Sequence, residues 1–104
     1  MTNKVKVEAG DEKFVCQLFK LLGDPNRLKI VCALMGTEEC VADLAGLVGM
    51  EQSALSHQLK NLKDASLVKS ERRGQKVVYS LDDEHIYEII LQALDHAEHI
   101  RKGE

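Results

Sequence analysis

Apolar residues recur at intervals of three and four along the first third of the chain, a spacing that predicts amphipathic helices. The first stripe begins at Asp11 and ends at Gly23, a residue type that commonly stops a helix. Asp24 and Pro25 follow at once. This pair is typical of a helix start, because Asp caps free backbone N–H groups and Pro fits the first turn. The sequence therefore predicts two successive helices, the second ending at Gly36.

The same spacing continues through the middle of the chain and predicts a closely linked pair of helices. A short helix is expected over about Val41–Val48 and a longer one over about Gln52–Ala65, joined through Gly49. A connection this short sets two helices at a steep angle, as in a helix-turn-helix. The apolar side of the longer helix is expected to consist of Leu55, Leu59 and Leu62.

Beyond residue 66 the period changes from that of a helix to that of a strand. Lys76–Leu81 alternates in polarity, Leu67–Glu71 can pair with it, and Arg72-Arg73-Gly74-Gln75 is expected to form the turn. A last helix is expected to start near Asp82-Asp83. Its apolar side would consist of Ile86, Ile89, Ile90, Ala93, Leu94 and Ala97. The predicted fold class is α+β, with four helices, a β-hairpin and a long C-terminal helix.

Length and composition restrict the class of protein further. The 104 residues, 44% hydrophobic and 30% charged, suit one compact domain. We expect residues 1–10 to form a flexible arm and residues 11–104 to form the folded domain. No apolar run approaches the roughly 18 residues of a membrane-spanning helix, and the polar start does not resemble a secretion signal. Three Cys without a C-x-x-C pair do not indicate a disulfide framework. We therefore expect a cytoplasmic protein with no membrane partner.

The charge is unevenly distributed, although the net charge is only −3. Residues 52–80 carry six basic and two acidic side chains, whereas residues 81–104 carry two basic and seven acidic side chains. A basic middle suits a polyanion such as DNA, and an acidic tail suits a cation or a metal ion.

The start of the longer helix carries side chains suited to DNA. In a helix-turn-helix, the first residues of the second helix enter the major groove, where Gln can pair with adenine and Ser can reach bases or phosphates. An ordinary solvated helix start would look similar, but a hairpin with a basic tip follows at once. That combination predicts a winged helix-turn-helix. Its candidate DNA-binding residues are Gln52, Ser53, Ser56, His57, Lys60, Arg72, Arg73 and Lys76.

Three segments resemble the ArsR/SmtB family of metal-sensing transcriptional repressors. Leu21–Ile30 is similar to the family's L-(G/S)-(D/N)-P-x-R-L-x-I segment, Gln52–Leu59 to its recognition helix, and Arg72–Gln75 to its wing. The resemblance extends over nearly the whole chain. It implies a homodimer that binds an imperfect inverted repeat in double-stranded operator DNA and represses transcription, with the start of the recognition helix at the DNA. We therefore expect residues 11–104 to form a winged helix-turn-helix DNA-binding and dimerisation domain.

Four potential metal ligands lie at the two ends of the last predicted helix: Asp83, His85, His96 and His99. His85 and His96 share a face, but eleven helical residues separate them by roughly 16 Å along the axis. Zinc–ligand bonds are about 2 Å long, so one helix cannot bring both ends to one ion. Two such helices packed antiparallel can do so. Each site would then combine Asp83 and His85 of one subunit with the other two ligands from its partner. Four N/O ligands suit tetrahedral Zn(II), with Co(II) as a surrogate.

The Asp-x-His start and His-x-x-His end also resemble the ligand pattern of the zinc-sensing, CzrA-like members of the family. This resemblance implies that metal binding releases the repressor from its operator by allostery. Two alternatives stay open: a zinc site that only stabilises the dimer, and a repressor of the same fold whose thiols sense redox state or persulfides. An enzyme is not expected, because four protein ligands leave no open coordination position.

The cysteines argue against a soft-metal site. Cys40-Val41-Ala42 stands where arsenic- and cadmium-sensing relatives of the resembled family carry a C-V-C pair. Ala42 leaves a single thiol there, whereas a thiolate site needs two or three sulfurs. We expect Cys16 and Cys32 to pack within the first two helices.

Overall fold

The computed structural model describes residues 5–103, and its order of elements confirms the predicted α+β class. The elements, in chain order, are α1 (Ala9–Leu22), α2 (Pro25–Ala33), β1 (Glu39–Cys40), α3 (Val41–Val48), α4 (Gln52–Asp64), β2 (Val68–Arg73), β3 (Lys76–Leu81) and α5 (Glu84–Lys102). The three antiparallel strands form one sheet in the order β1-β3-β2.

One hydrophobic core joins all five helices to the sheet. The predicted apolar side of α4 is confirmed, since Leu55, Leu59 and Leu62 are each 0% exposed. Each fully buried leucine contributes about 1.5–3 kcal/mol relative to an exposed one, so this side of α4 is firmly fixed against the core. The opposite side of α4 is consequently held in solvent.

The start of α2 forms as the sequence predicts. Asp24 Oδ2 accepts a hydrogen bond from the backbone N–H of Arg27 at 3.0 Å, and Pro25 occupies the first turn. The helix ends at Ala33, three residues before the predicted stop. Residues 34–36 instead form a turn in which Gly36 adopts a φ of +74°.

The wing differs from the prediction in two respects. Strand β3 has the predicted bounds, but β2 begins one residue later and ends two residues later than expected. Arg73 is paired to Lys76, so the turn consists of Gly74 and Gln75 alone. Gly74 has a φ of +64°, the left-handed conformation that two-residue hairpin turns require. The placement of both arginines in the turn was therefore wrong, because they belong to β2. Strand β1 was not predicted, since two residues are too few to show alternation.

Two helix starts shift slightly from their predicted positions. Helix α1 begins at Ala9, so the last two residues of the expected N-terminal arm are helical. Residues 1–4 of that arm lie outside the part of the chain that the structure describes. Helix α5 begins at Glu84, directly after the predicted Asp pair.

Helices α1 and α5 expose several large apolar side chains in the single chain. Phe14, Val15 and Leu94 are 46%, 44% and 47% exposed, and Phe19 and Leu91 are 60% and 45% exposed. Leu94 lies on the predicted apolar side of the last helix, and part of that side is exposed because α1 and α5 have more apolar surface than one chain covers. None of the described helices combines the length and apolarity needed to cross a membrane.

Candidate nucleic-acid interface and metal centre

A tight turn between α3 and α4 sets the direction of α4. Gly49 adopts φ 70° and ψ 38°, and its N–H donates to the carbonyl oxygen of Ala45 at 2.9 Å. The N–H of Met50 donates to the same oxygen at 3.1 Å. Leu44 and Val48 of α3 are buried in the core that holds the leucines of α4. The two helices therefore form the predicted helix-turn-helix.

The predicted DNA-binding residues of α4 all lie in solvent. Leu55 and Leu59 of the same helix are fully buried, so α4 has one buried side and one exposed side. The structure thus brings five of the candidates together on one exposed surface: Gln52, Ser53, Ser56, His57 and Lys60.

Arg27 links α1 to α4 through two hydrogen bonds that the sequence did not reveal. Its Nε donates to the carbonyl oxygen of Leu21 at 3.0 Å, and its Nη1 donates to Gln58 Oε1 at 3.5 Å. The half-buried guanidinium therefore joins the end of α1 to the middle of α4. Its partner Gln58 lies 31 residues along the chain, so no local pattern could have indicated the contact.

The two arginines of the wing point to opposite faces of the hairpin. Arg72 pairs with Val77 and Arg73 with Lys76, and successive side chains of a strand alternate between faces. Arg72 therefore shares a face with Ser70, whose Oγ accepts a hydrogen bond from Lys63 Nζ of α4 at 2.7 Å. The face that carries Arg72 is the one turned toward α4.

Arg73 lies on the other face, between two carboxylates. Its Nη2 is 2.9 Å from Glu38 Oε2 and 3.1 Å from Glu71 Oε2. The hydrogen bond to Glu71, followed by the negative charges of Glu38 and Glu71, raises the pKa of Arg73 above its ordinary value. Lys76 is exposed on the same face, and no carboxylate of the described residues forms an ion pair with it.

The start of α5 holds one pair of the predicted metal ligands together. Asp83 Oδ1 caps the helix by accepting the backbone N–H groups of His85 at 2.9 Å and Ile86 at 3.3 Å. Its Oδ2 lies 3.3 Å from His85 Nδ1. The His85 side chain, and then the backbone N–H groups of Ile86 and His85, lower the pKa of Asp83 from its ordinary value. One carboxylate and one imidazole are thus adjacent in solvent.

The second pair of predicted ligands lies near the other end of the same helix. His96 and His99 are both exposed and are three residues apart, so they are neighbours on the surface of α5. Within residues 5–103 of one chain, no group of three or more His, Cys, Asp or Glu side chains is arranged to hold a metal ion. The structure therefore forms the two pairs but does not bring them together within one chain.

The donor set still fits the metal that the sequence predicts. Carboxylate oxygen and imidazole nitrogen are ordinary zinc ligands, and His residues three apart on a helix present their rings to the same side. Both pairs are open to solvent, so a second chain has access to each.

Among the described cysteines, Cys32 is poorly suited to a thiol sensor. Cys16 is exposed, whereas Cys32 and Cys40 are half-buried, and all three are free thiols. Burial raises the pKa of the Cys32 thiol, which reduces the fraction of reactive thiolate.

Comparison with known proteins identifies the family. Residues 24–70 match the family described as "Bacterial regulatory protein, arsR family". Over 89 residues the chain is 42% identical to the HTH-type transcriptional regulator NmtR of Mycobacterium tuberculosis, covering 86% of this chain and 74% of that protein. The chain belongs to the arsR family of bacterial regulatory proteins. It spans 60–74% of the length of the curated relatives it matches.

Solved structures share the fold of this arsR-family chain. The antimony-specific transcriptional repressor AntR superposes with a TM-score of 0.83 at 28% identity, covering 98% of this chain and 93% of that one. A homodimeric winged helix-turn-helix DNA-binding domain from Mycobacterium bovis superposes with a TM-score of 0.88 at 24% identity, covering 100% and 96%. The predicted winged helix-turn-helix is therefore confirmed.

Membership of the arsR family settles the class of activity. The protein is a DNA-binding transcriptional regulator and not an enzyme, as the sequence predicted. Its exposed recognition helix and basic wing are the surfaces that this activity needs. The individual DNA-contacting and metal-binding residues stay predictions.

Proposed function

We propose that the protein is a transcriptional repressor that binds operator DNA as a homodimer and is released from it by Zn(II) or Co(II). The observation that carries the proposal is the division of four exposed ligands between the two ends of one continuous helix, Glu84–Lys102. A second copy of α5, packed antiparallel, would place the partner's late pair beside the early pair. The ligand set is then complete twice, once at each end.

The exposed apolar surface of α1 and α5 supports a dimer through these helices. Phe19 of α1 and Leu91 and Leu94 of α5 are each nearly half exposed or more in the single chain. Apolar groups of this size favour burial, at about 25 cal/mol for every Å² removed from water. Because the surface includes α5 itself, the contact that covers it would also bring two α5 helices together. The homodimeric state of the Mycobacterium bovis domain is consistent with this assembly.

The ligands we assign to each site are Asp83 and His85 from one subunit and His96 and His99 from the other. Zinc would supply a closed tetrahedral cross-link between the chains. The contribution of the chain itself is to hold the carboxylate and imidazole of the early pair in place. Asp83 does so by capping α5 with Oδ1 while Oδ2 stays beside His85 Nδ1. The antimony-specific repressor AntR, which has the same fold, supports the assignment of a metal or metalloid effector.

At the operator, we assign direct readout to Gln52, Ser53, Ser56 and His57, which head the exposed side of α4. Lys60, Arg72 and Lys76 would contact phosphates, which are sequence-independent partners. An antiparallel dimer presents two copies of this surface about a two-fold axis, so the operator is expected to be an inverted repeat. Because the partner is genomic DNA, we place the protein in the cytoplasm.

The coupling between metal and DNA follows from the shared dimer. DNA binding requires that two recognition helices match successive major grooves, and a cross-link between the α5 helices restricts the motions that allow this match. Such coupling is typically about 1–3 kcal/mol, and DNA must weaken zinc binding by the same factor that zinc weakens DNA binding.

A titration tests the proposal directly. A fluorescent duplex, selected in vitro for tight binding to the wild-type protein, is bound and then titrated with zinc while its anisotropy is followed. We expect release by zinc from the wild type. His96→Ala and His99→Ala should bind the duplex normally but stay bound at the same zinc concentrations.

Two results would contradict the proposal. Zinc release that persists in both His variants would exclude the assigned ligands. Loss of the dimer on chelation of the metal, seen by sedimentation, would indicate a structural zinc instead of an effector, because a structural site is required for assembly.

A further inference from the structure

Arg73 differs from the other basic residues of the wing in what surrounds it. Its Nη2 donates to Glu71 Oε2 on the same strand and to Glu38 Oε2, at 3.1 Å and 2.9 Å. Glu38 belongs to the loop between α2 and β1, 35 residues earlier in the chain. One guanidinium thus connects the wing to a loop that carries no part of the recognition helix.

The register of the hairpin separates Arg73 from its neighbour. Arg72 lies on the face of β2 that also carries Val68, which is 1% exposed, and Ser70, which is bonded to Lys63 of α4. That face is turned toward the recognition helix. Arg73 lies on the opposite face, where it meets the α2–β1 loop.

We propose that Arg73 is a positioning residue that braces the wing against the α2–β1 loop. Of the two adjacent arginines, Arg72 is then the one that contacts a DNA phosphate. A guanidinium can serve two carboxylates at once through its planar set of donors. The contacts formed by Arg73 hold the hairpin next to its turn, on the side that α4 does not support. Phosphate contacts orient a protein on DNA, so a wing held at one angle binds in register with the recognition helix.

A different role for the two carboxylates predicts the opposite change in DNA affinity. If Glu38 and Glu71 merely neutralise Arg73 and keep it from the phosphates, removal of either carboxylate should free the guanidinium and strengthen DNA binding. If Arg73 braces the wing, removal of Glu38 should weaken DNA binding, because the wing loses its fixed angle.

The experiment measures affinity for the selected duplex, by anisotropy, over a series of KCl concentrations. The slope of log affinity against log salt falls by about 0.9 for each phosphate contact that is lost. We expect Arg72→Gln to reduce the slope by about this amount. Arg73→Gln should leave the slope unchanged and weaken binding by about two- to fivefold at every salt concentration, the range typical of an exposed ion pair.

Glu38→Gln should weaken binding to a similar extent, and adding it to Arg73→Gln should have little further effect. Glu39→Gln is the matched control, because it removes the same charge from the adjacent residue while Glu38 stays in contact with Arg73. Glu39→Gln should not weaken binding. Thermal unfolding of every variant should match the wild type closely, since both ion pairs are exposed and contribute little to overall stability.

Either of two outcomes overturns the proposal. An Arg73→Gln slope that falls as much as the Arg72→Gln slope would make Arg73 a phosphate ligand. Tighter DNA binding by Glu38→Gln than by Glu39→Gln would show that the carboxylate restrains Arg73 instead of using it as a brace.

Discussion

At the scale of single residues, Asp83 has two roles that substitution can separate. Its Oδ1 caps α5, and its Oδ2 faces the imidazole of His85. Capping requires only an oxygen acceptor, which Asn also supplies, whereas metal binding favours the charged carboxylate. The two roles therefore respond differently to Asn and to Ala.

We predict that Asp83→Ala lowers the free energy of unfolding of the metal-free protein by about 0.5–2 kcal/mol, the usual effect of losing an N-cap. Asp83→Asn should leave it nearly unchanged. Both variants should bind zinc more weakly than the wild type. Urea unfolding without metal and competition with a chromophoric chelator measure the two effects. A wild-type zinc affinity in Asp83→Asn would remove the carboxylate from the proposed site.

The pKa of Asp83 also sets a direction for pH dependence. Because the pKa is lowered in the folded state, the charged carboxylate stabilises the protein above its unfolded pKa of about 3.9, and this contribution disappears as pH falls through the folded pKa. We predict that unfolding of the metal-free wild type depends more on pH below about 4 than unfolding of Asp83→Asn. Identical pH profiles for the two proteins would contradict this prediction.

Some contacts of single residues could not be predicted from the sequence, for a physical reason. The caps of α2 and α5 use partners two or three residues away, so the sequence shows both the Asp and the helix that follows it. Arg27 and Arg73 use partners 31 and 35 residues away. Such contacts depend on tertiary packing, and local periodicity carries no information about it.

At the scale of elements, the helix-turn-helix depends on the end of α3. Gly49 has a positive φ, whereas Gly46 lies within the helix and faces open space. The same substitution should consequently act in opposite directions at these two positions.

We predict that Gly49→Ala lowers the free energy of unfolding by about 1–2 kcal/mol, because a side chain is strained in the left-handed region. Gly46→Ala should raise it by about 0.4–1 kcal/mol, because Ala restricts the unfolded chain and suits a helix. Urea unfolding of both variants checks the signs. Destabilisation of equal size at both sites would contradict the claim that the left-handed conformation of Gly49 requires glycine.

The sequence predicted elements best where their period extended over many residues. Helix α4 starts where expected, because its leucine spacing spans several turns. The short α3 has the expected bounds because Gly49 marks its end. Strand β1 escaped prediction because two residues pair with β3 only in the folded sheet. The end of β2 was likewise set by its register with β3, which placed Arg72 and Arg73 in the strand.

At the scale of the whole molecule, α1 and α5 expose apolar surface that one chain does not cover. The periodicity of the sequence marks a residue as apolar but does not say which chain covers it. Phe14, Val15 and Leu94 are accordingly apolar positions that lie on the surface of the single chain. The two ligand pairs of α5 also require a second chain, because neither pair forms a complete metal site within the described residues of one chain.

We predict that Leu94→Glu shifts the protein from dimer to folded monomer, because a charge on this surface would be buried at the proposed interface. The chain should still fold, since Leu94 is 47% exposed in the isolated subunit. Leu47→Glu is the control, because Leu47 is 62% exposed on α3 and lies outside that interface. Sedimentation equilibrium distinguishes the two states. A dimeric Leu94→Glu would place the interface elsewhere.

The central claim is that each metal ion is held by two chains, and a mixing experiment tests it most directly. One variant carries Asp83→Asn and His85→Ala, and the other carries His96→Ala and His99→Ala. Each alone should lack tight zinc binding. In a mixed dimer, however, the early pair of one chain meets the late pair of the other, and one complete site is restored.

We expect the mixture to regain tight binding of one zinc ion per mixed dimer, measured by chelator competition after the subunits have exchanged. If the exchanged mixture binds zinc no better than its two components, the ions are not shared between chains, and the proposed site is wrong.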